Sequence, residues 1–143
     1  MKIEKILFPT DFAPRSRSAR EHALYLAGEL GAEVYLLHAI EPLKYEEVDE
    51  EIREFYRTLE SQMNEKMAGE REIFVKNGLS VNTDIVIGPR WKAINAYAGE
   101  KGIDLIIMGS HGLRTDTGEV SVGTTSHKVM FSSPCPVLIV RHD

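Results

Sequence analysis

Two clusters of small and hydroxyl-bearing residues carry most of the chemistry in this sequence. Gly109-Ser110-His111-Gly112 directly follows an apolar run, and Gly123-Thr124-Thr125 opens a stretch of helical character. Glycine lets backbone N–H groups approach an anion closely. A helix N-terminus adds further N–H groups and the positive end of a dipole. The chemistry this suits is a grip on phosphate, to which Thr124 and Thr125 add hydroxyls. Each cluster also has a plainer reading: a tight strand-to-loop connection for Gly109 and Gly112, helix capping for Gly123 to Thr125. A third cluster, Pro9-Thr10-Asp11, follows the first apolar run. Asp11 suits ribose hydroxyls or a cation, and equally the cap of a helix starting near Pro14.

Other chemistries fit less well. Gly118 to Thr125 has the glycine spacing of the G-x-x-x-x-G-K-[ST] phosphate loop, but Thr124 stands where the lysine belongs and no strand directly precedes Gly118. His22, His38, His111, His127 and His142 show no ligand spacing and Cys135 stands alone, so no metal site is expected. No G-x-S-x-G elbow surrounds Ser110 and His111, which argues against a hydrolase triad. Cys135, between two prolines, reads as a packing residue rather than a nucleophile. Arg15, Arg17, Arg20 and Arg114 read as surface charges, one of which could reach a terminal phosphate.

These clusters need elements to hold them. Apolar runs bounded by glycine or proline predict strands over 3–8, 33–40, 81–87, 104–108 and 136–140. Three- and four-residue spacing predicts helices from Pro14 to Gly31, from Val48 to about residue 68, over 90–101 and over 124–132. Gly69 is expected to weaken or kink the second helix, which resumes to about Asn77. Its charged side reads as a solvated face. Alternating strands and helices, with strands apolar on both faces, predict an α/β fold: a doubly wound, five-stranded parallel sheet with helices on both faces. Its crevice lies at the carboxyl ends of the strands. The loops available there are Pro9-Thr10-Asp11, Ala39-Ile40-Glu41 and Gly109 to Val122.

The 143 residues fit one domain spanning 1–143. A formal net charge of −5 argues against a nucleic-acid partner, but not against a small anion held by local amides. One cysteine excludes an internal disulfide, and no run reaches the length of a membrane helix. A cytoplasmic protein without signal peptide or membrane contact is expected.

ILFPTDF, LLHAI, Gly88-Pro89, DLIIMGSHG and SSPCPVLIV together resemble the universal stress protein family along nearly the whole chain. The resemblance implies a Rossmann-like fold of the adenine nucleotide alpha-hydrolase type. It also implies a stress-response regulator that acts through its bound state and dimer. One subgroup binds ATP and shows G-x-x-G, nine residues, then G followed by Ser or Thr. Here ten residues, Leu113 to Val122, separate Gly112 from Gly123. Retention of Gly109, Gly112 and Gly123 places the chain nearer that subgroup. The resemblance implies ATP, with Mg²⁺, as ligand. Pro9, Thr10 and Asp11 would line the adenosine side, and Ala39 would meet adenine through its backbone. Met108, Gly109, His111, Gly112, Gly123, Thr124 and Thr125 would surround the phosphates, with Gly88 and Pro89 on one flank. It further implies a homodimer through the last strand (136–141), which an exposed sheet edge favours. Asp11 is the one plausible carboxylate near the site and no general base is evident, so at most slow ATP hydrolysis is expected. The alternative is an interaction module of the same fold that binds no nucleotide and contacts an unknown protein partner.

Overall fold

A computed structural model describes residues 1–42, 49–110 and 124–141. Its strands are β1 (Lys5–Pro9), β2 (Glu33–Ile40), β3 (Val81–Ile87), β4 (Leu105–Gly109) and β5 (Val137–Val140). All pairs are parallel, in the order β3-β2-β1-β4-β5. Helices α1 (Arg17–Leu30), α2 (Glu50–Lys76), α3 (Arg90–Lys101) and α4 (Thr124–Ser132) lie in the crossovers.

Side-chain alternation splits the core into two layers. Ile6, Phe8, Val34 and Leu36 point to α1 and α2, where Ala19, Ala23, Ala27, Met67 and Phe74 meet them. Leu7, Tyr35, Leu37, Ile106 and Met108 point to α3 and α4, against Ile94, Tyr97, Ala98 and Val129. Both faces of β1, β2 and β4 are thus covered, which is why their sequences are unbroken apolar runs. Alanine at every fourth position of α1 lets that helix sit directly on the sheet. The edge strands β3 and β5 are only partly buried.

The structure shifts several sequence boundaries. β1 starts at Lys5 and runs through Pro9. Asp104 stays outside β4, because its carboxylate accepts from the backbone N–H groups of Glu4 and Lys5 at 2.9 and 3.0 Å. That clamp joins the entry of β4 to the start of β1. Pro14 opens a short 3-10 turn, and α1 proper begins at Arg17. Pro136 precedes β5 and contributes its carbonyl, which accepts from Ile106 N at 3.0 Å.

Gly69 does not interrupt the second helix: α2 is one helix of 27 residues, capped by Asp49, whose Oδ1 accepts from Ile52 N at 2.9 Å. Met67 and Phe74 are buried on either side of Gly69, so packing overrides the local cost of a glycine. A Cβ built at Gly69 meets nothing within 4 Å. Gly69→Ala is therefore expected to stabilise the protein by about 0.5–1 kcal/mol, read as a raised urea midpoint. The charged side of α2 also has an interior exception. Glu70 is 5% exposed and takes a two-pronged contact from Arg20 of α1, at 2.7 and 2.9 Å.

Candidate functional site

The chain passes from β3 on one side of the sheet to β4 on the other. α1 and α2 cover one face and α3 and α4 the opposite face, so the connections leave β1 and β4 in opposite directions. A crevice opens between the carboxyl ends of those two strands.

The turn after β1 is tightly built. Thr10 is buried; its N–H donates to Leu37 O at 2.9 Å, and its hydroxyl oxygen accepts from Phe12 N at 3.0 Å. Phe12 has φ +64°, a left-handed conformation that a bulky side chain adopts only under constraint. The constraint comes from His38 of β2. Its Nδ1 lies 2.7 Å from Thr10 O, and because a carbonyl only accepts, Nδ1 carries the proton. The imidazole also stacks on the Phe12 ring, with centroids 4.7 Å apart. Asp11 completes the turn. Oδ1 accepts from Ala13 N and from Ser16 Oγ, each at 2.9 Å, and Oδ2 pairs with Arg15 at 3.1 Å. Asp11 thus braces the turn ahead of the helix and does not cap it: the N-cap positions are Ala13 and Ser16, and neither the 3-10 turn nor α1 has a side-chain cap. A ribose contact would share the carboxylate with Arg15, whose side chain is half exposed.

The remaining expected residues fall as follows. Pro9 ends β1 and Ala39 lies near the carboxyl end of β2, beside His38. Gly88 N donates to Ile40 O at 2.9 Å, which holds the turn before α3 against β2. Met108 sends its side chain into the core, leaving only its backbone for the crevice. Gly109 ends β4, and its carbonyl accepts from Ser126 Oγ of α4 at 2.7 Å. Ser126 is 1% exposed. Thr125, in the first turn of α4, lines a cleft of about 380 Å³. Glu41, Pro42, Pro89, Arg90, Trp91 and Lys128 complete its walls. His111, Gly112, Gly123 and the side chain of Thr124 lie outside the described residues. Topology therefore gathers Pro9, Thr10, Asp11, Ala39, Gly109 and the start of α4 at one end of the sheet.

Four participants were not singled out from sequence. His38 had a signal, a polar residue inside an apolar strand, and Arg90 and Trp91 follow the Gly88-Pro89 turn directly. Ser126 had none beyond its neighbours. Among the described residues, no group of three or more His, Cys, Asp or Glu is gathered as for a metal ion. No described helix is long and apolar enough to cross a membrane. Burial pushes the Cys135 thiol up, which suits the packing role expected of it.

His38 gives the site a pH dependence. Burial lowers its pKa; the Thr10 carbonyl and Asp11 oppose this, while Arg90 and Lys66 add to it. The folded protein thus holds His38 neutral at pH values where the unfolded chain protonates it. Its contribution to stability is complete above the ordinary value of 6.5 and is lost as pH falls through the lower folded value. Urea midpoints measured from pH 7.5 downwards are expected to decline in that window. His38→Asn, which keeps a donor toward Thr10, is expected to flatten the decline.

The fold and this crevice define a doubly wound α/β protein with its candidate site at the β1–β4 switch point. The sequence matches the family model described as "Universal stress protein family" over residues 2–141, and the chain belongs to that family. It is 30% identical to universal stress protein MJ0577 of Methanocaldococcus jannaschii, over 96% of this chain and 94% of that protein. The solved structure of MJ0577 superposes with a TM-score of 0.89 at 31% identity, covering 100% and 99% of the two chains. The fold also matches a universal stress protein in complex with cAMP (TM-score 0.76, 20% identity, all of both chains). It matches one from Archaeoglobus fulgidus in complex with dAMP as well (TM-score 0.71, 17% identity, 97% and 98%).

Proposed function

We propose that this chain is an ATP-binding member of its family, a regulator that acts through its bound state rather than through rapid catalysis. The observation that carries this is the convergence at the switch point of three features: the braced Thr10-Asp11-Phe12 turn, the end of β4 at Gly109, and the first turn of α4 hydrogen-bonded to it. Adenosine would lie toward Pro9, Thr10, Asp11 and the backbone of Ala39. The phosphates would lie toward Gly109, Thr124 and Thr125, and in sequence toward His111, Gly112 and Gly123. The cAMP and dAMP complexes support the reading at the level of the fold, which in those two proteins holds an adenine nucleotide.

Magnesium fits this site as a companion of the phosphates rather than as a resident ion. Asp11 is the carboxylate at the turn, and both its oxygens already serve protein donors. The ion would take its ligands from phosphate oxygens and water, neutralising the polyphosphate. The reading further takes residues 1–143 as one domain working in the cytoplasm, where a chain with one thiol suits reducing conditions.

A homodimer through β5 belongs to the same proposal. β5 is an edge strand with Val137, Leu138 and Ile139 only partly covered, and Phe131 of the adjacent α4 is 73% exposed. Calorimetric titration tests the ligand and sedimentation tests the dimer. Saturable binding of ATP at or below millimolar concentration is expected; heats of dilution alone would remove the nucleotide reading. The interaction-module alternative is favoured by one observation, Phe55 on the amino-terminal half of α2 being 48% exposed. That alternative gains if the chain purifies without nucleotide and binds none.

A further inference from the structure

We propose that Arg90 and Lys128 form an anion subsite in the cleft between the end of β2 and the first turns of α3 and α4, and that it takes a phosphate group of the bound nucleotide. This rests on the nucleotide reading above and adds residues to it outside the glycine and hydroxyl clusters.

The inference starts from a weakly compensated cation lining the cleft. Arg90 Nε is buried and makes no hydrogen bond among the described residues. Its nearest carboxylate, Glu41, stands 3.8 Å away and is 60% exposed, too far for a hydrogen bond and too wet for a strong pair. Nε is closed to the cleft, but the Arg90 side chain is 42% exposed, so its other guanidinium N–H groups can meet a ligand acceptor there. Lys128 brings a second cation to the same cleft, its Nζ lying 5.7 Å from the centre of the Trp91 ring. Against these cations the described lining offers one carboxylate, Glu41, and one hydroxyl, Thr125.

The lining therefore selects an anion with hydrogen-bond acceptors, beside an aromatic and two prolines that present apolar surface. Phosphate meets that description. The subsite lies at the carboxyl end of the sheet, where Pro89 and Arg90 follow β3 and Thr125 stands in the first turn of α4. Thr125 links it to the expected phosphate cluster.

The test uses the full chain with ATP, adenosine and inorganic triphosphate, read by calorimetry and by the emission of Trp91, the single tryptophan. Arg90→Met is expected to weaken ATP binding about tenfold and to leave adenosine binding unchanged. Triphosphate is expected to shift Trp91 emission saturably in the unaltered chain, less tightly in Arg90→Met, and with reversal by salt. The Arg90 side chain is 42% exposed, so the variant should fold, which circular dichroism checks. Equal losses for ATP and adenosine, or no loss of ATP binding, overturn the proposal. If the unaltered chain binds neither ATP nor adenosine, the nucleotide reading falls and triphosphate decides alone. Saturable binding that weakens in Arg90→Met then upholds the anion subsite; no response in the unaltered chain removes it.

Discussion

Replacing Arg20 with leucine is expected to destabilise the protein by about 3–5 kcal/mol, the cost typical of stranding one partner of a buried ion pair. Glu70 is 5% exposed, and Arg20 meets both its oxygens, at 2.7 and 2.9 Å. The two residues stand fifty positions apart, on α1 and α2. The leucine variant would leave the Glu70 carboxylate between two helices with no counter-charge. The double variant Arg20→Leu/Glu70→Leu removes both charges and is expected to recover most of the loss, since matched apolar groups substitute well for a buried pair. Urea denaturation of the parent, both single variants and the double variant closes the cycle. A loss below about 1 kcal/mol in Arg20→Leu would make the pair equivalent to a solvated surface contact and would defeat the prediction.

The same pair marks where sequence reading stops. Helix and strand identities were legible because they rest on local signals. Gly31 and Pro42 bracket β2, and Gly88-Pro89 ends β3. The fold class followed from apolar runs that only two-sided coverage explains. Partnerships across long separations were not legible. Nothing near Arg20 in the chain marks it as internal, so it read as one of four surface arginines. Gly69 misled for the opposite reason: its local cost is real, but Met67 and Phe74 hold the helix to the sheet on both sides of it.

The candidate site divides along the same line. Thr10, Asp11 and Gly109 were legible as residues just beyond strands that a parallel sheet brings to one end. How they are held was not. The left-handed Phe12 carries no glycine to announce it; its conformation depends on His38, contributed by a neighbouring strand. Arg90 became visible only once α3 was seen to start beside the end of β2, where Gly88 is tied to Ile40. Backbone positions in this site follow from local pattern, whereas the side chains that fix them follow from topology.

Ser126→Ala tests the most consequential of those side chains. Its hydroxyl donates to Gly109 O at 2.7 Å, and both residues are buried. This bond fastens the first turn of α4 to the last residue of β4, the two elements that flank the proposed phosphate position. Removing it deprives a buried carbonyl of its donor, and a loss of about 1–3 kcal/mol is expected. A second effect follows from position. Thr125 sits one residue before Ser126, so an α4 freed from β4 presents its amides and hydroxyls less consistently to an anion. ATP stabilises whichever state binds it by an amount set by concentration over Kd. Urea denaturation with and without ATP therefore separates the two effects. The intrinsic loss appears without nucleotide, and the loss of positioning appears as a smaller increment when ATP is added. If the increment in Ser126→Ala equals that of the parent, the hydroxyl serves the fold alone. If the increment shrinks while far-ultraviolet dichroism is unchanged, the hydrogen bond from α4 to β4 is what aligns the phosphate-facing turn.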